Sequence, residues 1–215
     1  MSMLISLVAC ADYERPPALD VLVLTDRSDS VEDGTGSSCA GVVKILDSVL
    51  DTPGVDERSR VAVYGTGGPT GPALVPVIDH VVVPPGIADE AGTAGIIRSA
   101  VLRQAETACR ASMTQVRVSR VVGALVSAGE LLEGWGCRAD HPCSLLVQSD
   151  MIDTESARRL RAGTLQLDLP EGLRVGVCRL DTGRGYPGDT QADQEWRATW
   201  ERAVPGIAFG AACRD

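Results

Sequence analysis

Apolar positions along this chain fall into two alternating patterns. "VLVLT" (21–25) is a continuous apolar run of the kind found in a strand buried on both faces. Behind it Cys39, Val42, Val43, Leu46, Val49 and Leu50 recur at helical spacing, with Ser37 or Ser38 placed to cap the helix start. "RVAVYG" (60–65) reads as the next strand. A Gly/Pro-rich turn over 65–72 leads into "LVPVIDHVVV" (74–83), an edge strand or a pair of short ones, because Pro76 has no N–H for a central ladder. Two helical faces follow: Ile96, Ile97, Ala100, Val101, Ala105 and Cys109, then Val118, Val121, Val122, Leu125 and Leu132. "SLLVQSD" (144–150) and "LRVGVCRLD" (173–181) are further strands. Residues 190–203 form a last amphipathic helix, with Trp196 and Trp200 one turn apart and expected to face the sheet. Strands alternating with helices imply an α/β domain with a mostly parallel sheet.

The 215 residues suffice for one sizeable core and are too few for two comfortable ones. Apolar residues at 44% and charged residues at 23% are ordinary for a globular domain. The formal charge of −9 argues against a nucleic-acid partner, since no basic field would attract phosphates. Lys44 is the single lysine beside nineteen arginines; the arginines are scattered, and "RRLR" (158–161) is their densest run.

The N-terminus changes the picture. "MLISLVAC" (3–10) is too short to span a membrane. It resembles the end of a bacterial lipoprotein signal, where Leu-Val-Ala-Cys (7–10) precedes lipid attachment to the cysteine, although the usual basic segment ahead of it is missing. On this reading residues 1–18 are signal and linker, residues 19–215 are the domain, and Cys10 carries a lipid. The other six cysteines are even in number, as expected for disulfides in an oxidising compartment. Proximity favours Cys137–Cys143. Cys178–Cys213 follows if the C-terminal segment packs beside the last strands, which leaves Cys39–Cys109. Zinc is the rival for Cys137, His141 and Cys143, but a structural site wants four ligands, and Asp140 is poorly placed to be the fourth.

Candidate chemistry gathers at strand ends. Asp26 and Asp150 each follow a predicted buried strand, and in open α/β sheets ligands bind outside the carboxyl ends of the strands. Loops carrying Ser28, Ser30 and, in "AGTAG" (91–95), Thr93 would reach the same rim. Carboxylates and hydroxyls together suit a hard cation, above all Mg²⁺, or Mn²⁺ or Ca²⁺, with room left for a partner's oxygen.

The "DRSDS" of 26–30, behind a buried strand and followed by Thr93 and Asp150 in that order, resembles the metal-ion-dependent adhesion site of von Willebrand factor type A domains. The resemblance runs from about residue 19 to 208. It implies a doubly wound sheet with one antiparallel edge strand, matched here by residues 74–83, and helices on both faces. It also implies metal ligation by Asp26, Ser28, Ser30, Thr93 and Asp150. The implied function is binding of a protein that offers a carboxylate to the metal. Asp29 stands where the family often has glycine, and the threonine position has rivals in Thr66 and Thr70.

Other classes fit less well. "GTGGPTG" (65–71) lacks the Gly-Lys-Ser/Thr ending of a phosphate loop. A metal-assisted phosphoryl-transfer enzyme using Asp26 would want a lysine or second acid at the phosphate, and Lys44 falls within a helix away from the rim. His80 and His141 have no evident catalytic companion, so no enzyme is expected. A metal-free, degenerate scaffold domain in a cell-envelope assembly is the other alternative. Membrane contact is expected only through the lipid.

Overall fold

The computed structural model describes residues 18–27, 37–68, 70–81, 83, 93–112, 120–151, 153, 156–179 and 191–210. Its elements follow the predicted alternation: β1 (Asp20–Thr25), α1 (Ser37–Leu50), β2 (Val61–Thr66), β3 (Leu74–Ile78), α2 (Thr93–Ser112), α3 (Val121–Gly134), β4 (Cys143–Ser149), α4 (Ala157–Arg161), β5 (Leu173–Arg179), α5 (Gln191–Ala203) and β6 (Ala208–Phe209). The sheet order is β3-β2-β1-β4-β5-β6. Only β3 runs antiparallel, against β2, and the other pairings are parallel. The fold is thus doubly wound with one antiparallel edge strand, as expected.

Alternation along β1 explains its unbroken apolar run. Leu22 and Leu24 enter one core with α3, α4 and α5, while Val21 and Val23 enter a second core with α1 and α2. Successive side chains point to opposite faces, so a strand covered on both sides needs apolar residues at every position. Ala62 against Val61 and Val63 repeats this on β2, and Val177 against Cys178 on β5. A Leu or Val buried this way contributes about 1.5–3 kcal/mol.

Four details differ from the sequence reading. The edge strand ends at Ile78, so His80 lies beyond it and is exposed. Ile96 is 69% exposed; α2 buries a narrower stripe than its periodicity suggested, with Ala105 and Cys109 at its centre. The short helix α4 and the two-residue β6 were not foreseen, because each is too brief to carry a period. Of the tryptophan pair, Trp200 is buried in the core, whereas Trp196 is half-buried beside Phe209, 5.2 Å between ring centroids.

Three glycines let the elements close up. A Cβ on Gly41 of α1 would lie 1.9 Å from Gln148 Nε2, and one on Gly65 would lie 2.2 Å from Arg27 Cδ. On Gly67 it would lie 1.7 Å from the backbone carbonyl oxygen of Pro72. The helices α1 and α2 are cross-linked by the Cys39–Cys109 disulfide, and Arg98 of α2 pairs with Asp47 and Asp51 of α1 at 2.7 and 2.5 Å.

Candidate functional site

The winding of the sheet reverses between β1 and β4, whose carboxyl ends lie side by side: Thr25 is in register with Gln148. Asp26 follows β1 there, and its N–H continues the ladder to Gln148 O at 2.8 Å. Its carboxylate has no solvent exposure. Ser149 Oγ donates to Oδ2 at 2.6 Å, and Thr66 Oγ1 donates to Oδ1 at 3.3 Å. Thr66 ends β2, so the three central strands β2, β1 and β4 each give one oxygen-bearing side chain to this point. Hydrogen bonds to an ionised carboxylate are the stronger kind, which explains how a desolvated acid is held here.

Both hydroxyls are also acceptors. Thr66 Oγ1 takes the Arg27 N–H at 3.1 Å, and Ser149 Oγ takes the Met151 N–H at 2.8 Å. Arg27 is itself buried; its side chain runs over Gly65 and donates from Nη2 to the Ser112 carbonyl at the end of α2. A guanidinium therefore enters the interior one residue from Asp26.

Asp150 is buried directly after β4. The chain then turns at Met151, whose φ of 58° is the only positive value of a non-glycine among the described residues. An L-residue pays roughly 1–2 kcal/mol there, and two bonds offset it: the Ser149 contact and the Trp200 indole N–H to Met151 O at 3.2 Å. Two residues on, Asp153 is buried; Oδ2 accepts from Val122 N at 2.8 Å and Oδ1 from Ser156 N at 2.6 Å. It thus satisfies otherwise orphaned donors at the starts of α3 and α4.

Of the expected ligands, the structure brings Asp26 and Asp150 to the ends of adjacent strands. Ser28 and Ser30 lie outside the described residues, and so does Asp29. Thr93 opens α2, but its side chain is outside the description. The sequence reading missed Ser149 and the placement of Thr66 against Asp26. The signal for both was position alone: each is a hydroxyl at the last residue of a strand flanking β1. The oxygen donors present suit a hard cation. Among the described residues, no three histidine, cysteine, aspartate or glutamate side chains converge as metal ligands.

The opposite end of the sheet holds the remaining polar cluster. Asp20 accepts from Arg60 N at 2.7 Å, and its other oxygen meets His141 Nε2 at 3.3 Å. Arg138 and His141 exchange backbone hydrogen bonds of 3.1 and 3.0 Å, closing a tight turn. The expected Cys137–Cys143 disulfide is not formed: both are buried free thiols. The turn is already closed by its backbone bonds. Burial and the adjacent Cys137 thiol push the Cys143 thiol well above its ordinary value. Cys178 is in a disulfide, and its expected partner Cys213 lies outside the described residues, as does Cys10.

No protein-family model matches the chain, and no curated protein matches it in sequence. Solved structures do. The manganese-loaded TRAP protein of Plasmodium vivax is 13% identical, with 90% of this chain and 68% of that one covered and a TM-score of 0.50. Proximal thread matrix protein 1 of the mussel byssus is 12% identical, with 90% and 43% covered and a TM-score of 0.51; the chain spans less than half of that structure. The von Willebrand factor type A structure from Catenulispora acidiphila is 15% identical, with 93% and 39% covered and a TM-score of 0.46. At such identities the likeness concerns the fold, which is von Willebrand factor type A-like.

Proposed function

We propose that this chain is an exported, lipid-anchored bacterial domain that binds a protein partner through a divalent cation at the carboxyl ends of β1 and β4. The observation that carries this reading is Asp26, a fully buried carboxylate at the winding reversal, oriented by the hydroxyls of Thr66 and Ser149. The sequence continues from it as Asp-x-Ser-x-Ser. In this reading Asp26, Ser28, Ser30, Thr93 and Asp150 hold Mg²⁺, Mn²⁺ or Ca²⁺ through oxygen, directly or by way of water. Bound there, the cation supplies an open coordination position for a carboxylate of the partner.

The chain's own residues prepare that event. Ser149 and Thr66 fix the direction of the Asp26 carboxylate, and burial keeps competing water from it, which strengthens every charge interaction. Cys10 bears the lipid at the end of a signal-like segment, with residues 11–18 as the linker to the domain at 19–215. Among the described residues no helix is long and apolar enough to cross a membrane, so the lipid is the membrane contact in this reading. Replacing Cys10 with serine should move the protein from the membrane fraction to the soluble one.

A metal-free scaffold is the second reading, in which the hydroxyls of Ser149 and Thr66 satisfy the Asp26 carboxyl oxygens without a cation. Phosphoryl transfer has less support, since Lys44 is exposed on α1. Thermal melting separates binding from scaffold. A cation that binds only the folded state stabilises it by about 2.7 kcal/mol at a hundredfold excess over its dissociation constant. Mg²⁺ or Mn²⁺ should raise the melting temperature, a chelator should reverse the rise, and Asp26→Ala should abolish it. Identical melts for wild type and Asp26→Ala, with and without millimolar cation, would overturn the metal reading in favour of the scaffold.

A further inference from the structure

A cavity of about 600 Å³ opens between α4 and α5, beside the loop that follows Asp150. Met151, Leu160, Trp196 and Trp200 give it an apolar interior, and Arg161 and Arg202 stand at it together with Asp153 and Glu195. We infer that this cavity is a docking pocket for an acidic protein segment that inserts one large apolar side chain between the two tryptophans.

Charge supports the choice of an acidic occupant. In a chain of net charge −9, α4 and α5 together carry five arginines against three carboxylates. Asp153 adds little negative field to the cavity, because its oxygens are turned onto the N–H groups of Val122 and Ser156 at the positive ends of two helices. Glu195 lines the cavity with Arg161 and Arg202, and Arg158 and Arg159 are exposed on the same short helix as Arg161. Among the described residues, none of Arg158, Arg159, Arg161 and Arg202 forms an ion pair. An incoming carboxylate would therefore meet guanidinium groups at the surface, the fork geometry suited to bidentate pairing.

Shape favours a peptide over a lipid surface. Trp200 is 1% exposed and Trp196 leans on Phe209, so neither ring projects outward to enter a bilayer. The aromatic surface is recessed, and a recess accepts a side chain that projects from the partner. Buried aromatic anchors with charges around them are the usual source of binding energy at protein interfaces. The inference does not depend on a cation at Asp26.

The test uses the full chain in chelator, titrated with a short peptide of glutamates around one central phenylalanine, and follows tryptophan emission. Saturable binding is expected, weaker at high salt and reduced about tenfold by Arg161→Glu. Arg161 is exposed, so its reversal leaves folding intact; circular dichroism checks this. Trp196→Ala should abolish binding in protein that remains folded. No saturable binding would overturn the inference, and so would equal affinity for a lysine-flanked version or indifference to Arg161→Glu. Binding to phosphatidylglycerol vesicles without binding to the peptide would overturn it in favour of a membrane.

Discussion

Ser149 and Asp26 meet across the boundary between β4 and β1, hydroxyl to carboxylate at 2.6 Å. The same hydroxyl receives the Met151 N–H, so one side chain orients the buried acid and holds the strained turn behind Asp150. Ser149→Ala removes both bonds and leaves a buried charged acceptor with a partner missing. A loss of about 2–3 kcal/mol is expected in urea denaturation. The loss should shrink when the change is made in an Asp26→Ala background, because the two residues are coupled.

Gly67 sets how tightly β2 can turn into β3. Its N–H donates to Ala73 O at 2.8 Å, and a Cβ there would meet the Pro72 carbonyl oxygen. That neighbour is backbone and cannot rotate away. Gly67→Ala should cost about 3 kcal/mol. Gly71→Ala, where a Cβ would meet nothing within 4 Å, should stay within about 0.5 kcal/mol. Paired denaturation curves of the two variants check this; equal effects would mean the turn can relax.

The thiol pair makes stability sensitive to alkali. Burial, and next the Cys137 thiol, raise Cys143 above its ordinary value of 9.0. The neutral form is therefore favoured by folding, and the unfolded chain loses this proton first. The stabilisation is complete below about pH 9 and falls as pH rises further, with a slope of up to about 1.4 kcal/mol per pH unit from this group. Cys143→Ala should flatten that decline. Iodoacetamide should spare both cysteines in the native protein and modify Cys137 and Cys143 after denaturation without reductant, as peptide mapping would show.

Strands were readable in the sequence because burial on both faces forces apolar residues at every position, as at Leu22, Val23 and Leu24. The edge position of β3 was readable from Pro76, and its antiparallel direction only from the family resemblance. The gripping arrangement around Asp26 was not. Ser149 was read simply as part of a strand, and Thr66 as loop, since strand register alone decides which hydroxyl faces which carboxylate. The stripe on α2 was overread at Ile96 for a related reason: periodicity shows which residues share a face, but not how far the neighbouring helix extends to cover it. The "RRLR" run gained meaning only when α4 was seen beside α5, because proximity between helices distant in sequence leaves no local pattern.

The borders of the sheet limit how copies of this domain can associate. On one side the outermost strand β3 is five residues long with Pro76 exposed in it; on the other, β6 has two residues. A new strand needs a row of unpaired N–H and C=O groups to join, and among the described residues neither border offers a long one. Along these two described strands, edge-to-edge pairing of copies into ribbons is disfavoured. Clustering is left to side chains on the helices and rims, where charge and shape decide which neighbour is accepted.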